Sequence, residues 1–346
     1  MSSRSKSCSV NFTGSPVDWY DLVDDDGQAD SWQQPAPITT DAEFMVTSGD
    51  QGQRLDHYLI RQLPEQSRSA IGKLIGAAHV LVNGQQVKAG YRLHQDEIIT
   101  VSFPPTPSLD LAPEKIDFSI LFEDEHLLVI GKPPGLVVHP ACGHGGGTLV
   151  HGLLYHCQDL PALDAGRPGI VHRLDKDTSG VMLVAKSERS LRSLMADFKN
   201  RKIHKTYHAL LLRSPREREG RLVAPIGRHP VDRKKMAIRP DQGKYAATHW
   251  RVLESFINGW CLVEIGIETG RTHQIRVHMA SLRAPVAGDA LYGGRVERGA
   301  PIKPPRQMLH ASTLRFHHPL TNEEMCLTAP LWADMQDILN LVRTLG

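Results

Sequence analysis

The sequence contains no long hydrophobic run. No stretch approaches the roughly 20 consecutive apolar residues that a helix needs to cross a bilayer. Residues 1–12, MSSRSKSCSVNF, also lack the apolar core of a secretory signal. These absences exclude an integral membrane protein and argue against secretion, so we expect no membrane partner.

Cysteine is scarce and scattered. The five cysteines are Cys8, Cys142, Cys157, Cys261 and Cys326, and none of them forms a CxxC pair. This spacing does not suggest a disulfide framework. Free thiols are typical of a reducing compartment, so we expect a cytoplasmic protein.

Neither apolar nor charged residues are in excess, at 40% and 23% of 346 residues. The length suits two domains of roughly 100–200 residues each. The net charge of +2 hides an asymmetry, because residues 1–50 carry nine acids and two bases and the remainder is strongly basic. A basic body behind an acidic segment favours a polyanionic partner.

The acidic segment, residues 1–50, is predicted to be a disordered tail. Residues 1–40 are rich in Ser, Asp, Gln and Pro and show no apolar period. Trp19, Tyr20 and Trp32 leave open the alternative that part of it docks on a surface.

Residues 51–103 are predicted to form a small α+β module. Leu55 and Leu59 recur at helical spacing, and Ser67 can cap a second helix. The segment VLVNGQQV at 80–87 is typical of two short strands joined by an Asn-Gly turn.

The order of these elements resembles the S4 type of RNA-binding module, with RLD at 54–56, SRS at 67–69 and HVLVNG at 79–84. That family has glycine where this chain has Ala78, at a helix end that favours a left-handed residue. A plain α+β subdomain is the alternative.

A proline-rich segment follows the module. Residues 104–113, PPTPSLDLAP, hold four prolines, and we assign residues 104–114 to an extended linker. In residues 115–346, strand-like segments such as 120–133 outnumber helical ones such as 272–282. We therefore predict an α+β domain with a mixed, largely antiparallel sheet and flanking helices.

The segment HRLDKDTSG at 172–180 lies between two apolar runs and is predicted to be a loop presented by a sheet, where catalytic groups often lie. Its carboxylates also have a structural explanation, because Asp-x-x-Thr/Ser loops cap backbone N–H groups. We favour that explanation for Asp177. For Asp175, between Arg173 and Lys176, the spacing leaves both explanations open.

Further segments follow in a characteristic order: KTYHAL at 205–210, ETGRTHQIRVH at 268–278 and GDALYGG at 288–294. With HRLDKDTSG they resemble the RNA pseudouridine synthases of the HRLDxxTSG family. The resemblance implies an isomerase that exchanges the N1–C1′ bond of specific uridines in structured RNA for a C5–C1′ bond. The expected substrate is large-subunit (23S) ribosomal RNA, which would place the enzyme in rRNA processing.

The resemblance assigns catalytic roles to Asp175, Tyr207 and Arg271. Asp175 aligns with the essential aspartate, which acts in its ionised form either as a nucleophile at C1′ or as a base in an elimination. Arg271 aligns with the arginine that pairs with this aspartate and lowers its pKa; a surface arginine near a helix start is the alternative. Tyr207 aligns with the tyrosine that stacks on uracil; a strand-core tyrosine is the alternative.

RNA contacts follow from the same resemblance, because the target base must leave its stack before it can react. Arg173 aligns with the arginine that enters the vacated space; pairing with Asp175 or Asp177 is the alternative. The other residues assigned to RNA binding are His172, Arg54, Arg68, Lys205, Arg228, Arg233 and Lys234. Any one of these basic residues could simply lie in a solvated loop. As a group, however, they favour binding to RNA phosphates, which depends on salt.

Residues 139–157 contain several histidines and cysteines, but no pair has zinc-finger spacing. The isomerisation is redox-neutral, so we expect no metal and no cofactor. The glycines at 143–147 are predicted to form a loop before a helix rather than a phosphate cradle.

Two other functions fit parts of the sequence. The run from Asp175 to Thr178 loosely resembles the aspartyl-phosphate loops of phosphotransferases, with the threonine one place off their pattern. A non-catalytic RNA-binding protein acting in ribosome assembly is the main alternative. We expect the protein to be a monomer.

Overall fold

The computed structural model describes residues 42–63, 66, 68–103, 111–140, 146–162, 167–232, 234–296 and 299–344, with the backbone only at residues 68–70 and 73. The predicted tail up to residue 41 and the predicted linker at 104–110 lie outside the described residues. Among the helices in these ranges, none is both long enough and apolar enough to span a bilayer.

The N-terminal unit is a four-stranded antiparallel sheet with two helices. Its elements are β1 (Ala42–Met45), α1 (Leu55–Gln62), α2 (Arg68–Gly76), β2 (Val80–Val82), β3 (Gln85–Gln86) and β4 (Ile98–Val101). The strands lie in the order β1-β4-β2-β3. Leu55 and Leu59 of α1 and Ile71 and Ile75 of α2 share one core with the sheet, as an apolar stripe at helical spacing requires.

Strand β1 corrects the predicted tail, which extended to residue 50. Its residues pair with β4, with Ala42 opposite Val101. Ala42 and Phe44 pack against the core, whereas Glu43 is exposed. A strand of four residues is too short to be recognised from alternating apolar and polar residues. It is defined instead by its pairing with β4, which is distant in the sequence.

The predicted Asn-Gly turn joins β2 and β3. Asn83 and Gly84 have φ angles of 49° and 75°, as both central residues of a type I′ turn require. Ala78, just after α2, has a φ of 60°. The left-handed position where the S4 family has glycine is therefore occupied by alanine, at a cost of roughly 1–2 kcal/mol.

The second unit is built on a nine-stranded sheet. Its elements are β5 (Ser119–Glu123), β6 (Leu127–Lys132), α3 (Leu149–Cys157), β7 (Ser179–Ala185), α4 (Glu188–Lys199), β8 (His204–Leu211), β9 (Glu219–Val223), β10 (Ile226–Arg228), β11 (Met236–Ile238), β12 (Ala247–Ser255), β13 (Cys261–Ile267), α5 (Gln274–Ser281), β14 (Leu309–His317), β15 (Glu324–Thr328) and α6 (Ala333–Thr344). The strands lie in the order β5-β6-β7-β14-β8-β13-β12-β9, with β15 beside β14. Strands β10 and β11 form a separate hairpin.

Neighbouring strands of the large sheet are antiparallel except β7 and β14, which run parallel. The predicted mixed, largely antiparallel α+β fold is therefore confirmed. Strands β6 and β7 are buried on both faces, so alternate residues enter different cores. Leu127 and Leu183 pack with α4 and α5, Leu128 and Met182 pack with α3, and α6 covers a third cluster around Leu210.

The start of β7 lies very close to β14. Gly180 has a φ of 120°, and a Cβ atom there would overlap the Ala311 carbonyl. Both the backbone conformation and the lack of space therefore require glycine. The last residue of HRLDKDTSG thus fixes where this segment joins the sheet.

Candidate active site

The loop at residues 172–178 leads directly into β7. Arg306 donates from Nη1 to the Asp177 carbonyl (2.9 Å) and from Nη2 to Ser179 Oγ (3.1 Å). The same guanidinium binds both carboxylate oxygens of Asp334 in α6, at 2.7 and 2.8 Å. Arg306 therefore ties the loop to α6.

A buried lysine also supports this loop. Lys132, at the end of β6, is fully buried. Its Nζ donates to the carbonyls of Pro133 and Leu136, both at 2.8 Å, and of Lys176 at 2.9 Å. Three acceptors match the three N–H groups of an ammonium. Burial lowers the pKa of Lys132 to about 7, against the raising effect of the neighbouring carboxylates.

Asp175 is held by an arginine that binds two carboxylates. Arg276, in the first turn of α5, donates from Nη1 to Asp175 Oδ2 at 3.0 Å. Its Nε and Nη2 bind Asp289 at 2.7 and 3.0 Å. Both Arg276 and Asp289 are buried. This fork geometry fixes the guanidinium, and with it the direction of its bond to Asp175.

The charges around Asp175 favour its ionised form. Burial alone would raise the pKa of Asp175. The opposing influences come first from His273 and then from Arg276, and Arg173 adds to them. They outweigh burial, so the pKa of Asp175 lies below its ordinary value. The carboxylate is therefore negative throughout the neutral range.

The pairing predicted for Arg271 is formed by Arg276. Arg271 precedes α5, and its Nε donates to the Tyr245 carbonyl at 3.1 Å. Arg276 lies on the buried side of the helix, which brings its guanidinium to Asp175. Arg276 therefore supplies an ion pair to Asp175, and the roles assigned to Arg271 stay predictions.

Tyr207 lies on β8 within the main core, 7% exposed. Burial and then the charge of Asp175 raise its pKa well above the ordinary value. Tyr207 is therefore a neutral phenol near the carboxylate. This agrees with either of its two interpretations, as a core tyrosine or as a partner in the reaction.

Asp175 opens onto a polar cavity of about 270 Å³. This volume lies just below the roughly 300–1,000 Å³ of small-molecule sites. The lining residues are Arg173, Asp175, Lys176, Asp177, Lys234, Met236, Thr272, His273, Arg276, Leu291 and Gln307. The cavity thus joins carboxylates to cationic and neutral hydrogen-bond donors.

His172, predicted to bind RNA, has partners within the protein. Its Nε2 accepts a hydrogen bond from the Leu183 amide at 2.8 Å, and its ring stacks on Phe198 with centroids 4.8 Å apart. Burial lowers the pKa of His172 to about 3. The structure therefore gives His172 a role in fixing the loop, and its RNA contact stays a prediction.

The other residues predicted to bind RNA are dispersed. Arg173 and Lys234 line the cavity beside Asp175. Arg54 is 45% exposed and pairs with Asp56 at 2.8 Å. Arg233 and the side chain of Arg68 lie outside the described residues.

Two more of these bases flank the site. Arg228 ends β10, in the hairpin that also includes Met236 of the cavity wall. Lys205 lies two residues before Tyr207 on β8, with its Nζ 5.6 Å from the Phe198 ring centre. Burial, Arg201 and Arg271 lower the pKa of Lys205 to about 8. RNA binding by both residues stays a prediction.

Sequence reasoning missed four residues that organise the site: Arg276, Asp289, His273 and Tyr292. All four lie in ETGRTHQIRVH or GDALYGG, so the signal was present as motif membership. Spacing did not show that these two segments meet at Asp175.

One group of possible metal ligands comes together among the described residues. Donor atoms of Glu123, His156 and Cys157 lie within 4.8 Å of one another. Glu123 already binds Lys186 Nζ at 2.6 Å and His156 Nε2 at 2.9 Å. These contacts account for the cluster without an ion.

Comparison with known proteins matches two family models. The model for RNA pseudouridylate synthase matches residues 126–281, and the S4 domain model matches residues 53–99. The two matches confirm both resemblances expected from the motifs.

Full-length relatives agree with these matches. An uncharacterized RNA pseudouridine synthase of Synechocystis sp. is 42% identical over 93% of this chain and 98% of its own. Ribosomal large subunit pseudouridine synthase D of Xanthomonas campestris is 41% identical over 87% and 92%. The solved structure of human RNA pseudouridylate synthase domain containing 1 is 29% identical, with a TM-score of 0.50 over 66% of this chain and 95% of that one. The chain therefore belongs to the RNA pseudouridylate synthase family and is an RNA pseudouridine synthase with an S4 domain.

Proposed function

We propose that this enzyme converts specific uridines of large-subunit ribosomal RNA into pseudouridine, with Asp175 as the essential catalytic residue. One observation carries the proposal: Asp175 lines the cavity as a carboxylate held by Arg276, which Asp289 fixes in turn. A pre-oriented anion at the site of bond exchange needs no reorganisation during the reaction.

The low pKa of Asp175 suits the chemistry. The N1–C1′ bond must break and the C5–C1′ bond must form, and the C5 proton must then leave. Asp175 acts either by adding to C1′ or by removing a proton, and both routes use the ionised carboxylate. Tyr207 contributes through its ring and its neutral hydroxyl, because its raised pKa excludes a phenolate base at neutral pH.

Base flipping is part of the proposal, because a stacked uridine hides C1′ and C5. Arg173 lines the cavity beside Asp175. Its planar guanidinium is suited to stacking in the space that the base vacates. Lys234, also in the lining, and Arg228, at the end of β10, contribute phosphate contacts in this proposal.

The substrate is inferred from several supports. The S4 domain and the basic cavity rim favour RNA, and relatives in Xanthomonas campestris and Pseudomonas aeruginosa are named ribosomal large subunit pseudouridine synthase D. Large-subunit ribosomal RNA is therefore the first substrate to test. Action as a monomer in the cytoplasm completes the proposal.

The test is pseudouridine mapping of ribosomal RNA from cells that contain the wild-type protein, no protein, or Asp175→Asn. We expect some uridines to be modified with the wild-type protein only. Asp337→Asn, at an exposed carboxylate of α6 outside the cavity lining, is the matched control, and it should restore the map. RNA affinity of Asp175→Asn should stay within a few fold of wild type.

Two outcomes would contradict the proposal. If the three maps are identical, large-subunit ribosomal RNA is not the substrate. If Asp175→Asn loses RNA affinity together with modification, Asp175 supports the structure of the site rather than the reaction.

A further inference from the structure

Tyr292 contacts two of the groups that surround Asp175. Its hydroxyl lies 2.8 Å from Nδ1 of His273, and its ring centre lies 5.1 Å from the guanidinium carbon of Arg276. The hydroxyl also accepts the backbone N–H of Met236 at 2.7 Å. The side chain of Tyr292 thus connects Arg276 of α5, His273 just before α5, and Met236 of strand β11.

The hydrogen bonds of Tyr292 determine the tautomer of His273. The Met236 N–H can only donate, so the Tyr292 oxygen is its acceptor. The hydroxyl proton can then point to Nδ1 of His273, which offers a lone pair in this arrangement. In the neutral imidazole the remaining proton is therefore on Nε2. Burial raises the pKa of Tyr292 to about 12, so the hydroxyl keeps its proton.

The backbone holds His273 at this point. His273 immediately precedes α5 and has a φ of 55°, in the left-handed region. A non-glycine residue in this region is strained by roughly 1–2 kcal/mol. The ring lines the same cavity as Asp175. The imidazole is thereby presented to the cavity with one edge fixed by Tyr292.

Charged groups from several elements face Asp175. His273 and Arg276 approach from α5 and its start, and Arg173 from the loop itself. Lys132 of β6 and Tyr207 of β8 both respond to the charge of Asp175.

The cavity wall adds Lys176, Asp177 and Lys234. Of all these groups, Tyr292 contacts His273 and Arg276.

We propose that Tyr292 is a positioning residue of this enzyme: its hydroxyl keeps His273 as an Nε2–H donor at the cavity, and its ring keeps Arg276 directed at Asp175. This inference rests on the proposed function. It assigns to the tyrosine of GDALYGG a role in keeping the carboxylate ionised and oriented.

The same hydroxyl connects the site to the basic hairpin of β10 and β11. Met236, whose N–H it accepts, is in β11, and Arg228 and Lys234 belong to the same hairpin.

The test uses the full chain and an RNA fragment containing a uridine found by mapping. Tyr292→Phe keeps the ring and removes the hydroxyl. We expect the single-turnover rate at saturating RNA to fall about tenfold or more, because the substitution removes both the bond to His273 and the bond from Met236, with the Kd for RNA within twofold. The acid limb of the rate profile should move to higher pH, because the other tautomer of His273 turns a lone pair instead of an N–H toward the cavity it shares with Asp175, which disfavours the carboxylate. Tyr155→Phe, at an exposed tyrosine of α3, is the control and should behave as wild type.

Two substitutions of His273 separate a donor role from simple packing. Glutamine places an amide N–H near the position of Nε2, whereas asparagine reaches only the position of Nδ1. We expect His273→Gln to retain most of the rate and His273→Asn to lose it. In the His273→Gln background, Tyr292→Phe should have little further effect, because an amide has no tautomer to fix.

Nitrogen NMR of the histidine rings provides a readout that does not depend on activity. We expect the Nε2–H tautomer of His273 in the wild type and a mixture in Tyr292→Phe. A wild-type rate and pH profile in Tyr292→Phe, or equal effects of the two His273 substitutions, would overturn the proposal. A wild-type enzyme that modifies no ribosomal RNA would instead refute the proposed function, and the NMR result would still decide the role of Tyr292.

Discussion

Nη1 of Arg276 and Oδ2 of Asp175 lie 3.0 Å apart, although 101 residues separate them in the chain. Arg276 is 6% exposed at its side chain, and Asp175 is 21% exposed. The arginine is therefore part of the interior, while the carboxylate reaches the cavity. In this arrangement the buried arginine stabilises the negative charge of Asp175, while the carboxylate remains accessible to a substrate in the cavity.

Replacing Arg276 should move the pH dependence of the reaction. Arg276→Lys keeps the positive charge but cannot bind two carboxylates with one planar fork, so Asp175 loses orientation and part of its stabilisation. The folded pKa of Asp175 then rises, and activity is lost at a higher pH on acidification than in the wild type. We expect a rate loss of about 100-fold or more at neutral pH.

Single-turnover rates from about pH 4 to pH 8 test this effect. Arg192→Lys, at an exposed ion pair of α4, is the control. An acid limb that stays in place in Arg276→Lys would show that the pair does not govern the ionisation of Asp175.

Replacing Lys132 should destabilise the protein as well as the site. Lys132→Met fills the space but leaves three backbone carbonyls without their present donor, at a cost of roughly 2–4 kcal/mol in the free energy of unfolding. Because one of them belongs to Lys176, next to Asp175, the rate should fall too. Urea unfolding measures the first effect, with the exposed Lys202→Met as control. Unchanged stability would mean that the carbonyls find other partners.

A single substitution in the S4 domain should increase stability. Ala78 is exposed and has a φ of 60°, so Ala78→Gly removes left-handed strain while adding chain entropy to the unfolded state. The net gain should be about 0.5–1 kcal/mol. Hydrogen exchange of amides in α2 and β2 should slow accordingly, and Gly76→Ala, in the helix itself, serves as a contrast. Faster exchange in Ala78→Gly would show that the alanine is not strained.

RNA affinity should depend strongly on salt. If the basic residues around the cavity bind phosphates, the logarithm of the association constant falls linearly with the logarithm of salt concentration, with a slope of several units. Lys234→Gln should reduce this slope by about one. Arg343→Gln should leave it unchanged, because Glu254 already neutralises Arg343 at 2.7 Å. A flat response of the wild type would contradict phosphate binding altogether.

Much of the fold follows from short-range patterns. The helix predicted over 272–282 is α5, with Ile275 and Met279 buried as its period requires. The turn at Asn83 and Gly84 and the strands around residues 120–133 are also confirmed, because their signals are local. These elements depend on period and turn chemistry, which a few neighbouring residues determine.

The details of the site depend on contacts between distant residues. Arg271 and Arg276 occupy one motif, ETGRTHQIRVH, and no local rule states which one reaches Asp175; the answer depends on where α5 begins. His172 was assigned to RNA binding by resemblance alone, and only the fold shows that its Nε2 accepts the amide N–H of Leu183. The sequence therefore predicts which segments form the site. Which side chains bind each other within it is known only from the fold.

The link from Arg306 to Asp334 makes the loop of Asp175 depend on helix α6. Arg306 donates to the backbone carbonyl of Asp177, and the carboxylate of Asp334 in α6 neutralises it. A chain cut short before α6 would keep its carboxylate and its RNA-binding module but would leave this buried arginine without its counter-charge. Helix α6, none of whose residues lines the cavity, therefore belongs to the scaffold that holds the cavity's loop in place.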